Sequence, residues 1–265
     1  MKYLELSYLD VGLAAALIVV NAIISIALGL KLGRSLVLAS ARTIVQLLLI
    51  GLVLESVFSL SRWYTVLGLL LIMTVIAGVS AVGRIERRYR GIHFDAVVAI
   101  WASSWLVAAY ALLFVLRGIE PWYQPQYAIP LVGMILGNSL NGISLGLNRL
   151  GEQLTTQRDQ VEALLALGAT RWEAARGHVG QAVRTGMIPI VNSMMVVGIV
   201  SLPGMMTGQL LSGVSPLQAV RYQIIIMFLI AAATALGTVG VVLLSYRRLF
   251  NDQHQFRADA LKPRD

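Results

Sequence analysis

The chain has 265 residues, of which 57% are hydrophobic and 13% charged, about half the charge expected of a soluble domain. That balance excludes a water-soluble globular protein and points to an integral membrane protein, with residues 1–265 forming one membrane domain. A net charge of +8 without cysteine excludes a disulfide framework or thiolate metal site; in a membrane protein such a charge reflects basic cytosolic loops, not nucleic-acid binding.

A bilayer core takes about 20 apolar residues per helix. Seven stretches meet that length: 11–30, 36–54, 63–82, 96–116, 127–147, 187–211 and 222–245. The expected fold is therefore all-α and polytopic, with about seven transmembrane helices. The apolar runs are continuous, whereas a β-barrel needs alternation. Ahead of the first run stand Glu5 and Asp10, without a small-residue cleavage signal, so that run reads as a retained span. Trp63, Tyr64, Trp122, Tyr123, Tyr127 and Tyr246 flank several spans, as interfacial anchors do. Loops after the first, third, fifth and seventh spans, including Lys31 and Arg264, carry sixteen of the 21 Lys and Arg. Opposite loops carry Lys2, Arg62, Arg117 and Arg221, which places the N-terminus outside and the C-terminus in the cytosol.

Polar residues within spans are expensive and often functional. In the second span Arg42 and Gln46 lie one turn apart. No acidic residue lies at the depth of Arg42, and Glu55 is too far along the helix to pair with it. Asn138, Asn141 and Asn148 fall on one face of the fifth, with Ser144 at its margin. Two readings stay open for that stripe, interhelical hydrogen bonding and lining of a pathway.

A polar interruption then runs over about 148–186, with the signature of two short helices joined by a tight corner. Gly168 stands where a helix C-terminus favours a left-handed residue, and Thr170 with Glu173 forms a capping box for the next helix. Leu154, Val161, Leu164 and Leu165 share one face of the first helix; Trp172, Ala175, Val179 and Val183 share one face of the second. Such a corner is either a surface for another protein to grip or an ordinary surface hairpin. The sixth apolar stretch contains Pro189 and Asn192 and ends in Pro203-Gly204, which should break or kink it. Five of the nine methionines lie between Met187 and Met206. They serve either as mobile packing or as thioether ligands for a soft metal.

Several functions are excluded by what is missing. None of Lys2, Lys31 and Lys262 follows a glycine, so there is no phosphate-binding loop and no ATP site in this chain. His93, His178 and His254 all fall in cytosolic segments. No acidic pair lies at mid-membrane depth for proton coupling, and no catalytic constellation can be assembled there.

Glu162-Ala163 followed by Gly168-Ala169-Thr170 resembles the cytosolic coupling segment of ATP-binding-cassette (ABC) permeases, although the Leu-Pro that usually follows is represented further on by Ile188-Pro189. Longer strings beginning at Ile129 (IPLVGMILGN), Leu167 (LGAT), Val200 (VSLPGMMTG), Arg221 (RYQI) and Tyr246 (YRRLF) resemble the FetB family over nearly the whole chain. These are bacterial permeases linked to iron export and paired with a separate ATPase, FetA; plant relatives are tied to aluminium tolerance, and one such complex to UDP-glucose. The resemblance implies the membrane subunit of an ABC exporter in the bacterial inner membrane. It further implies a homodimer in a 2+2 complex with a cytosolic, FetA-like ATPase that binds the ATP and Mg. Glu162, Leu165, Gly168, Ala169, Thr170, Arg171, Trp172 and Glu173 would then contact the ATPase. On this reading Gln46, Asn138, Asn141, Asn192, Met194, Met195, Met205 and Met206 line the substrate pathway, with Met205 and Met206 as metal-ligand candidates. Pro203 and Gly204 supply a flexible break. One departure is that Asn192 and Met195 stand where the family pattern has an acidic residue and a lysine. The alternatives are UDP-glucose or another organic anion as cargo, met by Arg42, an ATP-independent secondary transporter, and a non-transporting scaffold.

Overall fold

The computed structural model describes residues 7–30, 32–60, 62–116 and 121–263. Lys2, Glu5, Lys31, Arg117 and Arg264, used above in reading topology, lie outside them. The chain forms two compact units, Met1–Arg62 and Trp63–Asp265.

The first unit is a helical hairpin of α1 (Tyr8–Ala27) and α2 (Gly33–Leu60). A capping box opens α1: the Ser7 hydroxyl accepts from Leu9 N, and the Asp10 carboxylate accepts from Ser7 N at 2.8 Å. Gly29 takes the left-handed turn at φ +64°, and Leu32 N donates to Ser25 Oγ at 2.9 Å. Arg42 and Gln46 are exposed on α2.

The second unit contains α3 (Trp63–Val82), α4 (Ile92–Tyr110), α5 (Pro125–Thr156), α6 (Arg158–Ala166), α7 (Arg171–Val196), α8 (Gly204–Leu211) and α9 (Pro216–Leu249). A π-helical turn, Ala111–Val115, continues α4. Side-chain meetings fix the directions. Gly142 and Gly146 of α5 meet Thr234, Thr238 and Val242 of α9 in the same order, whereas Gly186 and Ala182 of α7 meet that pair in reverse. Asp95 of α4 pairs with Arg248 of α9, and Ser103 meets Gly237, so α4 also runs against α9. Gly78 of α3 meets Val97 of α4 and Thr74 accepts from Trp105, so α3 runs against α4; helices α3, α5 and α9 thus point one way and α4 and α7 the other. Membrane helices have no hydrophobic drive toward one another, so small residues that permit close approach decide where they pack. Gly142, Gly186 and Thr238 make such a junction of three helices.

One end of this unit is rich in arginine. It gathers the α3–α4 loop, the corner between α6 and α7, and the C-terminal tail, whose strand β2 (Lys262–Pro263) pairs antiparallel with β1 (Arg87–Arg88).

Among the described residues six helices are long and apolar enough to cross a membrane: α1, α2, α3, α4 with its π turn, α5 and α9. The sixth expected stretch, 187–211, is not one helix. Helix α7 carries it through Pro189 to Val196; the chain then turns through residues 197–203, and α8 opens at Gly204 with Pro203 as its N-cap. The turn is self-contained: Gly198 sits at φ +83°, its N–H donates to Ser201 O at 2.9 Å, and Val196 O accepts from Val200 N at 3.0 Å. Helix α7 is not among the six: Arg171, Glu173 and Arg176 charge its first turns, and Gln181, Arg184 and Asn192 lower the hydropathy of the rest, yet it packs antiparallel to α5 and α9.

Candidate functional site

The corner follows from local chemistry. Helix α6 ends at Leu167, and Gly168 reverses the chain at φ +91°, a conformation costing an L side chain about 1–2 kcal/mol. Thr170 caps α7: its hydroxyl accepts from Glu173 N at 3.3 Å, and the Glu173 carboxylate accepts from Thr170 N at 2.7 Å. Hydrogen bonds from the Thr170 backbone and hydroxyl hold the Glu173 carboxyl below its ordinary range. Leu154 and Val161 are fully buried, and Ala175 and Val179 are buried beneath the second helix. Leu164 and Leu167 face outward, Leu167 at 85% exposure. A leucine so exposed on a rigid corner at the polar end of the unit is an unpartnered apolar knob.

Other corner residues are already engaged within the chain. Glu162 accepts from Arg158 at 2.6 Å. Arg171 donates to Asp252 at 2.7 Å and to Asn251 O at 3.0 Å, and its backbone N–H donates to His254 Nδ1 at 3.1 Å. Trp172 stacks edge-on against Tyr246 at 5.5 Å, and the ring contacts continue through Phe250 to Phe256. Arg171 and Trp172 therefore bind the corner to the tail; Ala169 and Leu165 lie beside them, half-buried.

Beside the corner lies a polar cluster that sequence reasoning missed. Asp95, only 3% exposed, receives Nε and Nη2 of Arg248 at 2.7 and 2.9 Å, and Tyr89 OH at 2.9 Å. Tyr89 also shares a hydrogen bond of 2.8 Å with Ser245. Burial pushes the Tyr89 phenol well above its ordinary value, opposed by the Ser245 hydrogen bond. The cluster ties the α3–α4 loop to α4 and α9.

At the other end of α7 lies a cavity of about 310 Å³. Met194 comes from α7, Val197 and Gly198 from the turn, Met206 from α8, and Gln223, Met227 and Phe228 from α9. Gln223 is 5% exposed, and its Oε1 has no hydrogen-bond partner among the described residues. Gln209 Oε1 and Tyr222 OH are also buried without a partner. Unpaired buried polar atoms call for a water, an ion or a ligand. The donor set is thioethers plus an amide oxygen, suited to a soft or borderline ion and poorly suited to a hard trivalent one. No group of three or more His, Cys, Asp or Glu positioned for a metal occurs among the described residues.

The structure thus brings Met194 and Met206 together and adds Met227 and Gln223, which carried no sequence signal beyond lying in an apolar run. Met205 is half-buried on α8 but does not line the cavity; Met195, 73% exposed, and Asn192 face outward from α7. The asparagines of α5 hydrogen-bond within the chain: Asn138 donates to Met134 O of its own helix, whereas Asn141 accepts from Arg84 at 3.1 Å and Asn148 accepts from Glu86 N, both in the α3–α4 loop. Gln46 belongs to the other unit.

Residues 8–250 match the Uncharacterised protein family UPF0014. The chain is 42% identical to a UPF0014 membrane protein of Synechocystis, across 95% of this chain and 96% of that one. It is 32% identical to the Probable iron export permease protein FetB of Escherichia coli, across 96% of both. Its identity to Protein ALUMINUM SENSITIVE 3 of Arabidopsis thaliana is 31%, across 92% of this chain and 88% of that one. No solved structure matches.

Proposed function

The chain belongs to the UPF0014 family of integral membrane proteins, and from that premise we propose that it is the membrane subunit of an ABC exporter for a metal ion. Residues 1–265 act as one permease domain in the bacterial inner membrane. Helix α7 makes a seventh crossing, with the N-terminus outside and the arginine-rich end in the cytosol. Two copies pair with two cytosolic ATPases, because two ATP sites formed between ATPases need two corners.

The observation that carries this reading is the corner itself: Leu167 is exposed on a glycine-hinged, box-capped bend, and the helix that leaves this bend, α7, ends at the methionine cavity. A push on Leu167 and Glu173 is transmitted along α7 as a rigid-body tilt and reaches Met194 past the close junction of Gly142, Gly186 and Thr238. Ion cargo is supported by the three methionines and the unpaired Gln223 oxygen, and by similarity to the relative named as a probable iron export permease.

The test is Gly168→Pro. Proline holds φ near −65° and removes the N–H that Gly168 donates to Leu165 O, so the corner is lost while the spans remain. The variant should fold, by circular dichroism and monodispersity, but neither bind nor stimulate the ATPase. Gly168→Asn, which tolerates the left-handed region, should retain much of both. Full transport by Gly168→Pro would overturn the assignment.

A further inference from the structure

At the arginine-rich end a cavity of about 640 Å³ opens between the α3–α4 loop, the end of α9 and the tail. Arg90, Arg247, Arg248 and Arg257 line it, with Asp252 as the one carboxylate. Arg248 is committed to Asp95, and Asp252 to Arg171. The guanidinium groups of Arg90, Arg247 and Arg257 make no hydrogen bond or ion pair among the described residues. Three uncompensated guanidinium groups around one cavity repel one another unless an anion lies between them, and their planar forks suit phosphate oxygens.

A second, independent feature meets this cavity. Helices α4 and α9 leave a furrow of about 400 Å³ floored by Ala99, Ser103 and Gly240 and walled by Leu106, Leu236 and Leu243. Arg247 lines the end of this furrow as well as the basic cavity. From Leu236 to Arg247 the helix rises about 16 Å at ~1.5 Å per residue, close to the thickness of one leaflet, about 15 Å. An apolar trough one leaflet long, ending at clustered cations, matches a phospholipid in both chemistry and length. Basic pockets between membrane helices recognise anionic headgroups in this manner.

We infer that the basic cavity and the α4–α9 furrow form one binding site for an anionic phospholipid. The phosphate lies among Arg90, Arg247 and Arg257, and one acyl chain lies along Gly240. The site is independent of cargo. Because the Asp95–Arg248 pair forms its wall beside the corner, an occupied site braces the elements that meet the ATPase.

Native mass spectrometry of the full chain, titrated separately with phosphatidylglycerol, phosphatidylcholine and pyrophosphate, tests the site. Phosphatidylglycerol should bind well above phosphatidylcholine, and Arg90→Gln with Arg257→Gln should weaken it about thirtyfold. A Cβ on Gly240 meets nothing nearer than Ala99 Cβ at 4.0 Å, so Gly240→Leu fills the furrow without forcing the backbone. It should abolish phosphatidylglycerol retention while pyrophosphate still binds. Equal retention of the two lipids would overturn the proposal. So would pyrophosphate displacing phosphatidylglycerol with Gly240→Leu silent, which would make this a site for soluble phosphates. A chain that is dimeric before Gly240→Leu and monomeric after it would assign the furrow to a second copy instead.

Discussion

Gly186→Ala probes the three-helix junction past which the proposed transmission of movement along α7 would run. A Cβ at this position would lie 2.5 Å from the carbonyl oxygen of Gly142 and 2.6 Å from Thr238 Cγ2. One of those neighbours is backbone in the middle of α5, so relief requires α5 and α7 to separate. Overpacking of this kind costs about 1–3 kcal/mol. Gly180 lies on the same helix with nothing within 4 Å of its would-be Cβ, and there alanine should stabilise by about 0.5–1 kcal/mol through helix propensity. The propensity gain is common to both positions, so the same substitution six positions away on one helix should differ by the overpacking cost, about 1–3 kcal/mol, roughly one to two orders of magnitude in the unfolding equilibrium. Titration from mild detergent into SDS, followed by far-UV circular dichroism, reads that difference. Equal stabilities, or Gly186→Ala the more stable, would refute the close three-helix junction.

Other outcomes follow from the same geometry. Arg248→Gln leaves the buried Asp95 carboxylate with Tyr89 OH but without its cation, and because Arg248 is itself half exposed the loss of stability should be about 1–3 kcal/mol, measured in the same titration. Asp95→Asn combined with Arg248→Gln should recover part of that loss. Gln223→Leu removes a buried oxygen that has no partner and should stabilise the fold by about 1 kcal/mol while slowing export, the usual conflict between stability and a working site. Glu173 has its carboxyl held low in the folded corner. Its contribution is present above the ordinary glutamate value of 4.5 and is lost as pH falls through the lower folded value. Protection of the amides at the start of α7, taken relative to their intrinsic exchange rates at each pH, should fall across that acidic window, and Glu173→Gln should flatten the dependence.

How much of this was legible in the sequence depended on distance along the chain. The corner is written in adjacent residues: Gly168 needs only its own φ, and the Thr170–Glu173 box closes within one turn, so both could be read directly. The break in the sixth apolar stretch was legible in kind but displaced. Pro203 and Gly204 mark the start of α8, whereas the interruption begins at Val197, where Gly198 and the Val196 carbonyl close the turn. The methionine cavity was half legible. Met194 and Met206 stand out by composition, but Met227 and Gln223 join them only because α9 packs back beside α7. The Asp95–Arg248 pair spans 153 positions; placed just before an apolar run, Asp95 reads as a loop residue until α4 and α9 are packed together. The asparagine stripe on α5 was periodic as expected, yet Asn141 and Asn148 meet Arg84 and the Glu86 backbone of the α3–α4 loop, partners that helical periodicity cannot name.

The most direct test of the central claim is Fe(II) flux in proteoliposomes holding this chain with the proposed ATPase partner. The account predicts movement that needs ATP and both proteins, persists with Gly168→Asn, and stops with Gly168→Pro. Movement of UDP-glucose in place of Fe(II) would keep the ABC permease and contradict the metal cargo. Flux that follows a membrane gradient without the ATPase would contradict the account itself.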